Sequence, residues 1–437
     1  MLYNKNEYMP LSCGISASNN LEIGGCDLAA LAAEHSTPLY VLDEETLREN
    51  CRNYLLAFTE NYPDTEIAYA SKALAVLGVY KIISEEGLST DVVSGGELYT
   101  ALKAGMNPEK IIFHGNNKSP QELTQALQAG VGLIVVDNAQ ELKNLETIAG
   151  SLQKKATILI RVTPGIEAHT HDFIRTGGFD SKFGIHIEHI CDFIEEVKRC
   201  RNIDFAGIHA HIGSQILDVS PFAYLAEKMT ELMERIQKKN RLEVKILNLG
   251  GGLGVSYLSK DNPPAIADYA RTICQELKYN LTKRNLPQPR LIIEPGRGIV
   301  GTAGVTVYTV GAVKENKGIR KYLFVDGGMS DNPRPMLYAS KYSADIVGKV
   351  TTKKTEIVTV AGKFCESSDI LLKDILLPPA AAGDLLAVYT TGAYNYSMAS
   401  NYNQNPRPAM VLVNNGKNRL LVRRETYEDL LRTQEIS

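Results

Sequence analysis

Short runs of apolar and β-branched residues recur along the chain, most of them closed by a polar residue or a glycine. They fall at 67–71, 90–94, 111–115, 133–137, 158–162, 208–212, 246–250 and 291–294. Between most of them apolar positions are spaced by three and four, as in 95–104, 120–129 and 138–149, the period of an amphipathic helix. Eight strands alternating with helices predict a (β/α)8 TIM-type barrel. An open doubly wound sheet shares this periodicity and stays open on that ground. After about residue 300 the pattern changes to strand-like runs at 305–313, 322–325, 356–360, 385–390, 410–413 and 419–422, with turn residues between them. An alternating block followed by a β-rich block reads as a barrel plus a C-terminal β-barrel or sandwich domain. The extended segment 39–42 is expected to join the β domain from the N-terminal side. The expected division is 1–45 for that segment, 46–300 for the barrel and 301–437 for the β domain.

In such a barrel, chemistry belongs at the C-terminal strand ends. The first strand ends Tyr69-Ala70-Ser71-Lys72; Lys72 is either a surface lysine or an amine able to form a Schiff base. The sixth ends His209-Ala210-His211-Ile212-Gly213-Ser214. Residues two apart on a strand point the same way, so both imidazoles can face one site. A metal reading needs further ligands at other strand ends, and only His114 comes close, so no metal is expected. The seventh strand runs into Gly250-Gly251-Gly252, and the eighth into Glu294-Pro295-Gly296-Arg297. Glycines there read as a tight turn or as a backbone cradle for phosphate, and Glu294 as an ion-pair partner of Arg297 or an acid for a ring nitrogen. Lysine, phosphate cradle and acid together suit pyridoxal phosphate, with His211 stacking on the ring. Residues 296–301 also match G-x-G-x-x-G, but 302–310 are strand-like where a dinucleotide fingerprint needs a helix.

Composition narrows the partners. Among 437 residues, 47 are basic and 50 acidic, a net charge of −3. No polybasic surface is supplied for nucleic acid or anionic membrane. Hydrophobic residues at 44% and charged residues at 22% are ordinary for a folded soluble chain. There is no apolar run of about 18 residues and no signal-like start. The seven cysteines are scattered without a C-x-x-C pair, so neither a zinc ribbon nor a disulfide scaffold is expected and a reducing cytoplasm fits.

Six motifs stand in one order: Tyr69-Ala-x-Lys72, Asp91-Val-Val-Ser-Gly-Gly-Glu97, His209-x-His-Ile-Gly-Ser214, Gly250-Gly-Gly252, Glu294-Pro-Gly-Arg297 and Cys365-Glu366-Ser367. In this order they resemble the alanine-racemase-fold pyridoxal-phosphate decarboxylases, and within them the diaminopimelate branch, over about residues 39–412. The resemblance implies decarboxylation of meso-diaminopimelate to L-lysine. It puts the cofactor on Lys72, the stacking ring at His211, the ring-nitrogen acid at Glu294, and the phosphate near Ser214, Gly250, Gly251, Gly252, Gly296 and Arg297. Asp91 and Tyr394 join the cofactor residues. Arg297, Arg334, Tyr338, Glu366 and Tyr394 are implied for the substrate, and Cys365 as the proton donor. Without the resemblance Cys365 reads as an inert buried thiol. The family further implies a homodimer in which Cys365 and Glu366 complete the partner's site.

Two guanidinium groups suit a dicarboxylate, and Glu366 suits an ammonium. The nearest alternative is a sister decarboxylase for D- or L-forms of lysine, ornithine or arginine, for which Arg334 would have no carboxylate to meet. The stretch 176–184 also resembles the diaminopimelate branch. A noncatalytic pyridoxal-phosphate carrier on the same barrel is far shorter and lacks the β domain, and a zinc amidohydrolase remains the fourth choice, which a metal assay settles.

Overall fold

The computed structural model describes residues 5–166 and 181–436. The stretch 176–180 of the branch-like segment therefore lies outside the described residues. The chain forms two compact units: Met1–Glu49, Val255–Asn262 and Arg297–Ser437 make one, and Asn50–Gly254 and Pro263–Gly296 the other.

The second unit is the barrel. Its strands are Thr65–Ala70, Ser89–Val92, Ile111–Phe113, Leu133–Val136, Ala156–Thr163, Ile203–Ala210, Ile246–Asn248 and Arg290–Ile293. Each pairs in parallel with the next, and the last with the first, so the sheet closes. Closure excludes the open-sheet alternative and leaves no edge except at Ile185–His186, which pairs with the fifth strand. Ala68, Ile112, Leu159 and Ile292, from the first, third, fifth and eighth strands, pack into one buried cluster. The helix Pro120–Ala129 begins at a Ser119/Glu122 capping box with Pro at its start and ends at Gly130, φ 78°.

The first unit is the β domain. Gly304–Asn316 pairs antiparallel with Arg320–Val325, Leu385–Tyr389 and Leu39–Asp43. The early segment thus enters this domain as expected, and on its other side pairs in parallel with Ala409–Asn414. That strand turns through Asn415 and Gly416, both at positive φ, into Lys417–Val422, the geometry favoured by a two-residue hairpin loop. Glu356–Ala361 and Ile370–Leu377 extend the sheet beyond Arg320–Val325. At the Gly-rich decoy there is a single helical turn, Arg297–Val300, before the long strand Gly304–Asn316; no fingerprint helix follows.

Candidate active site

In the barrel unit the strand ends bring together buried polar groups that the chain keeps far apart. Lys72 sits in the 3-10 turn Ser71–Ala73 directly after the first strand, with an exposed side chain. Ser71 Oγ donates to Glu97 Oε2 at 3.0 Å, and Val93 N donates to the same oxygen at 2.8 Å. Glu97 therefore fixes the turn that carries Lys72, which gives the acidic end of the Asp91–Glu97 motif a positioning task. Asp91, on the second strand, is 4% exposed, and its Oδ1 has no hydrogen-bond partner. Burial and the neighbouring Glu294 charge push its carboxyl well above the usual range.

Glu294 is the centre of this cluster. Its Oε1 lies 2.7 Å from His114 Nε2 and accepts from Asn248 Nδ2 at 2.7 Å. Its Oε2 lies 3.3 Å from His209 Nε2, out of hydrogen-bond alignment. Burial alone would raise the Glu294 carboxyl, but His114 and His209 outweigh it and the group is held well below the usual range. Burial in turn lowers His114, and brings His209 to about 4. His114 faces Glu294 at hydrogen-bond distance, whereas His209 acts on it across 3.3 Å without an aligned hydrogen bond. His114, His209 and Glu294 present ligand atoms within 4.8 Å of one another. His114, rather than His211, is the imidazole that shares Glu294 with His209 at ligand distance, while His211 lies within electrostatic reach of both His209 and Glu294. The sixth strand ends at Ala210, so alternation stops before His211, whose Nδ1 accepts from Gly251 N at 3.4 Å. Burial, then the charge of Lys72, lowers His211 well below its usual value.

The glycine run answers to close approach. Gly250 has φ 64°, its N–H donates to Asn248 Oδ1 at 2.9 Å, and its carbonyl accepts from Glu294 N at 2.7 Å. A Cβ on Gly251 would fall 2.1 Å from the Glu294 carbonyl oxygen. Similarly, a Cβ on Gly296 would stand 3.0 Å from the Ala70 carbonyl oxygen. Ser214 follows on the loop after the sixth strand.

The β unit carries the cationic groups. Arg297 is 4% exposed, donates to Tyr257 OH, and lies with its guanidinium carbon 4.9 Å from the Tyr394 ring centroid. Arg334 opens the short helix Arg334–Tyr338, is 6% exposed, and lies 5.4 Å from the same Tyr394 ring and 5.0 Å from Tyr338. Arg334 Nε has no hydrogen-bond partner, and among the described residues no carboxylate is within ion-pair distance of it. Tyr394 itself is held at φ 62°. Cys365 and Glu366 lie on an exposed loop, where Cys365 N donates to Asn403 Oδ1 at 2.9 Å and Glu366 Oε1 accepts from Ser368 N at 3.3 Å. The expectation of a buried thiol is thus corrected.

The arrangement fits pyridoxal phosphate. Glu294 is a buried anion with one oxygen saturated by N–H donors and the other short of an aligned one, which suits a protonated ring nitrogen. The glycine backbone leaves no room for side chains, and an exposed amine stands at the first strand end. Residues 46–301 match the family of pyridoxal-dependent decarboxylases over its pyridoxal binding domain. The chain belongs to that family. Pyridoxal phosphate is accordingly its cofactor. The diaminopimelate decarboxylase of Bacillus subtilis is 47% identical over 415 residues, covering 94% of each chain. That of Synechocystis is 46% identical over 433 residues, covering 97% of this chain and 92% of the relative. The solved diaminopimelate decarboxylase of M. jannaschii in co-complex with L-lysine superposes with a TM-score of 0.92 at 34% identity, covering 100% of this chain and 99% of that one. Sequence reasoning gave no role to Asn248, His114 or Glu97, although Asn248 and His114 stand at or just after a strand end and Glu97 lies in the first turn of the helix after the second strand.

Proposed function

We propose that this decarboxylase removes CO2 from meso-2,6-diaminopimelate and releases L-lysine, the last step of lysine biosynthesis. The observation that carries the reading is Arg334: a buried guanidinium without a carboxylate partner is costly unless a bound group supplies one. A distal substrate carboxylate is that group. Lysine and ornithine have none.

In this reading Lys72 holds the cofactor through its amine. Bound pyridoxal phosphate supplies an electron sink for the pair left when the carboxylate departs. Glu294 Oε2 keeps a proton on the ring nitrogen while Oε1 is tied to His114 and Asn248. His211 would face the ring, and Asp91, whose carboxyl burial and the Glu294 charge push upward, would stand among the cofactor residues. Ser214, Gly250, Gly251, Gly252, Gly296 and Arg297 are assigned to the phosphate, and Tyr394 to phosphate and substrate. Arg297, Arg334 and Tyr338 hold substrate carboxylate, and Glu366 an ammonium. Cys365 Sγ delivers a proton to the carbon that has lost CO2. The working unit is a homodimer in the cytoplasm whose subunits exchange the Cys365–Glu366 loop, with domains at 1–45, 46–300 and 301–437. No helix among the described residues is long and apolar enough to cross a membrane.

The test is CO2 release from meso-diaminopimelate, L-lysine and D-lysine, each with added pyridoxal phosphate. Release from meso-diaminopimelate alone, with L-lysine as product, is expected. Release from a lysine isomer instead would retain the Lys72 chemistry and refute the role given to Arg334.

A further inference from the structure

Two segments of the β unit carry groups assigned to the substrate, and one buried carboxylate holds both. The segment 327–332 leads into the helix that starts at Arg334. The segment 362–366 carries Cys365 and Glu366. Asp369 is 3% exposed. Its Oδ1 accepts from Met329 N at 2.7 Å, and its Oδ2 accepts from Phe364 N at 2.9 Å. One backbone bond repeats the link, Lys363 N to the Gly327 carbonyl at 3.0 Å, while Gly362 N to the Asp369 carbonyl at 3.0 Å and Asp369 N to the Glu366 carbonyl at 3.1 Å close the Cys365 loop on itself. On each segment a glycine makes room for the carboxylate. A Cβ on Gly362 would fall 2.1 Å from Asp369 Oδ2, and one on Gly328 would fall 2.5 Å from Oδ1.

Only a carboxylate fits this position. Both partners are N–H donors on different segments, so both oxygens must accept, and an amide would turn its own NH2 against one of them. Among the described residues no cation is within ion-pair distance of Asp369. Burying an anion against two N–H groups alone is an expensive way to join two loops, since burial penalises the charge. Stability alone would be served as well by an apolar contact.

We infer that Asp369 is a positioning residue for the reaction, clamping the Arg334 segment and the Cys365–Glu366 loop to one another through its two oxygens. This rests on the roles proposed for Arg334 and Cys365. In a dimer that exchanges this loop, the clamp ties the carboxylate-binding group of one site to the proton donor of the other. Substrate held at Arg334 then bears on the geometry of the donated thiol.

The experiment uses the holoenzyme carrying Asp369→Asn, with Gly362→Ala as a second variant that displaces the same carboxylate without removing it. Each should retain the visible cofactor band and lose about 10- to 100-fold in kcat, the cost of a misplaced reacting group. KM for the dicarboxylate should rise with it. The deciding measurement is the double variant Asp369→Asn/Cys365→Ala, whose kcat should fall by clearly less than the product of the two single losses because both act on the same proton transfer. Losses that multiply, or an Asp369→Asn enzyme within twofold of the parent, would overturn the clamp. Failure of the underlying reading shows separately, as a Cys365→Ala enzyme with unchanged turnover.

Discussion

Asn248 is fully buried and gives its amide N–H to Glu294 Oε1 at 2.7 Å. A hydrogen bond to a buried charged group is worth about 1.5–3 kcal/mol. At 1.36 kcal/mol per pKa unit, losing this one should raise the Glu294 carboxyl by about 1–2 units. The sign follows from which form is stabilised. The N–H donors favour the carboxylate, so Glu294 contributes stability above its unperturbed 4.5 that is lost as pH falls through its depressed folded value. Removing a donor moves that loss to higher pH. Asn248→Ala also strips Gly250 N of its acceptor, 2.9 Å away, which would confuse a single variant. His114→Phe removes the other donor to Oε1, also at 2.7 Å, and leaves Gly250 untouched. What the two variants share therefore reports on Glu294. The assay is a pH titration of the visible cofactor band alongside turnover of meso-diaminopimelate. Both variants should shift the acid-side spectral transition upward by about 1–2 units, and turnover should fall by roughly 10- to 150-fold if the whole loss appears in the barrier. A transition that moves by less than about 0.3 units in both, with turnover within about twofold, would refute the assignment of Glu294 as the ring-nitrogen acid held by these donors.

Other perturbations have equally definite outcomes. Lys72→Ala should abolish both the visible band and turnover; absorbance spectra and CO2 release check this together. Lys118 and Glu141 form a 2.7 Å pair with side chains 1% and 3% exposed, and Lys118 also donates to the Gly115 and Val135 carbonyls. Lys118→Met should cost about 3–5 kcal/mol in urea unfolding, and Lys118→Met/Glu141→Leu should recover more than half of it. Burial raises Asp331 to about 7 from its unperturbed 3.8. The folded chain keeps this proton where the unfolded chain has released it, so stability falls as pH rises from about 4 to 7 and is level above. Over that window the loss is up to about 4 kcal/mol. Asp331→Asn, whose neighbour Tyr308 OH at 2.6 Å can reverse its hydrogen bond, should flatten that slope in denaturation measured across pH.

The barrel was legible because parallel strands buried on both faces read as unbroken apolar runs, and all eight lie where such runs occur. Their limits were less so. The sixth strand starts at Ile203, five residues before the apolar run, because Asp204 pairs with Thr157 at an exposed position. In the β domain the strand Ile370–Leu377 went unseen. Its centre is Lys373-Asp374, and Asp374 stands at φ 53° where the register with Glu356–Ala361 shifts. A bulge puts two polar residues where alternation would demand one, so the pattern reads as broken.

The site shows the same contrast in a sharper form. Glu294, Lys72 and the glycines announce themselves by local motif, whereas the groups that set the charge of Glu294 stand 180 and 46 residues away. No spacing rule pairs residues at such separations. A closed barrel does, because it gathers every strand end at one rim. His114 and Asn248 each lie at that rim, one directly after the third strand and one ending the seventh. Once the fold is known, polar residues at those positions are the candidates for holding a buried acid ionised. The general consequence is asymmetric: the group that does chemistry is visible in sequence because its neighbours are constrained too, while the groups that tune it are single residues whose only mark is where their strands stop.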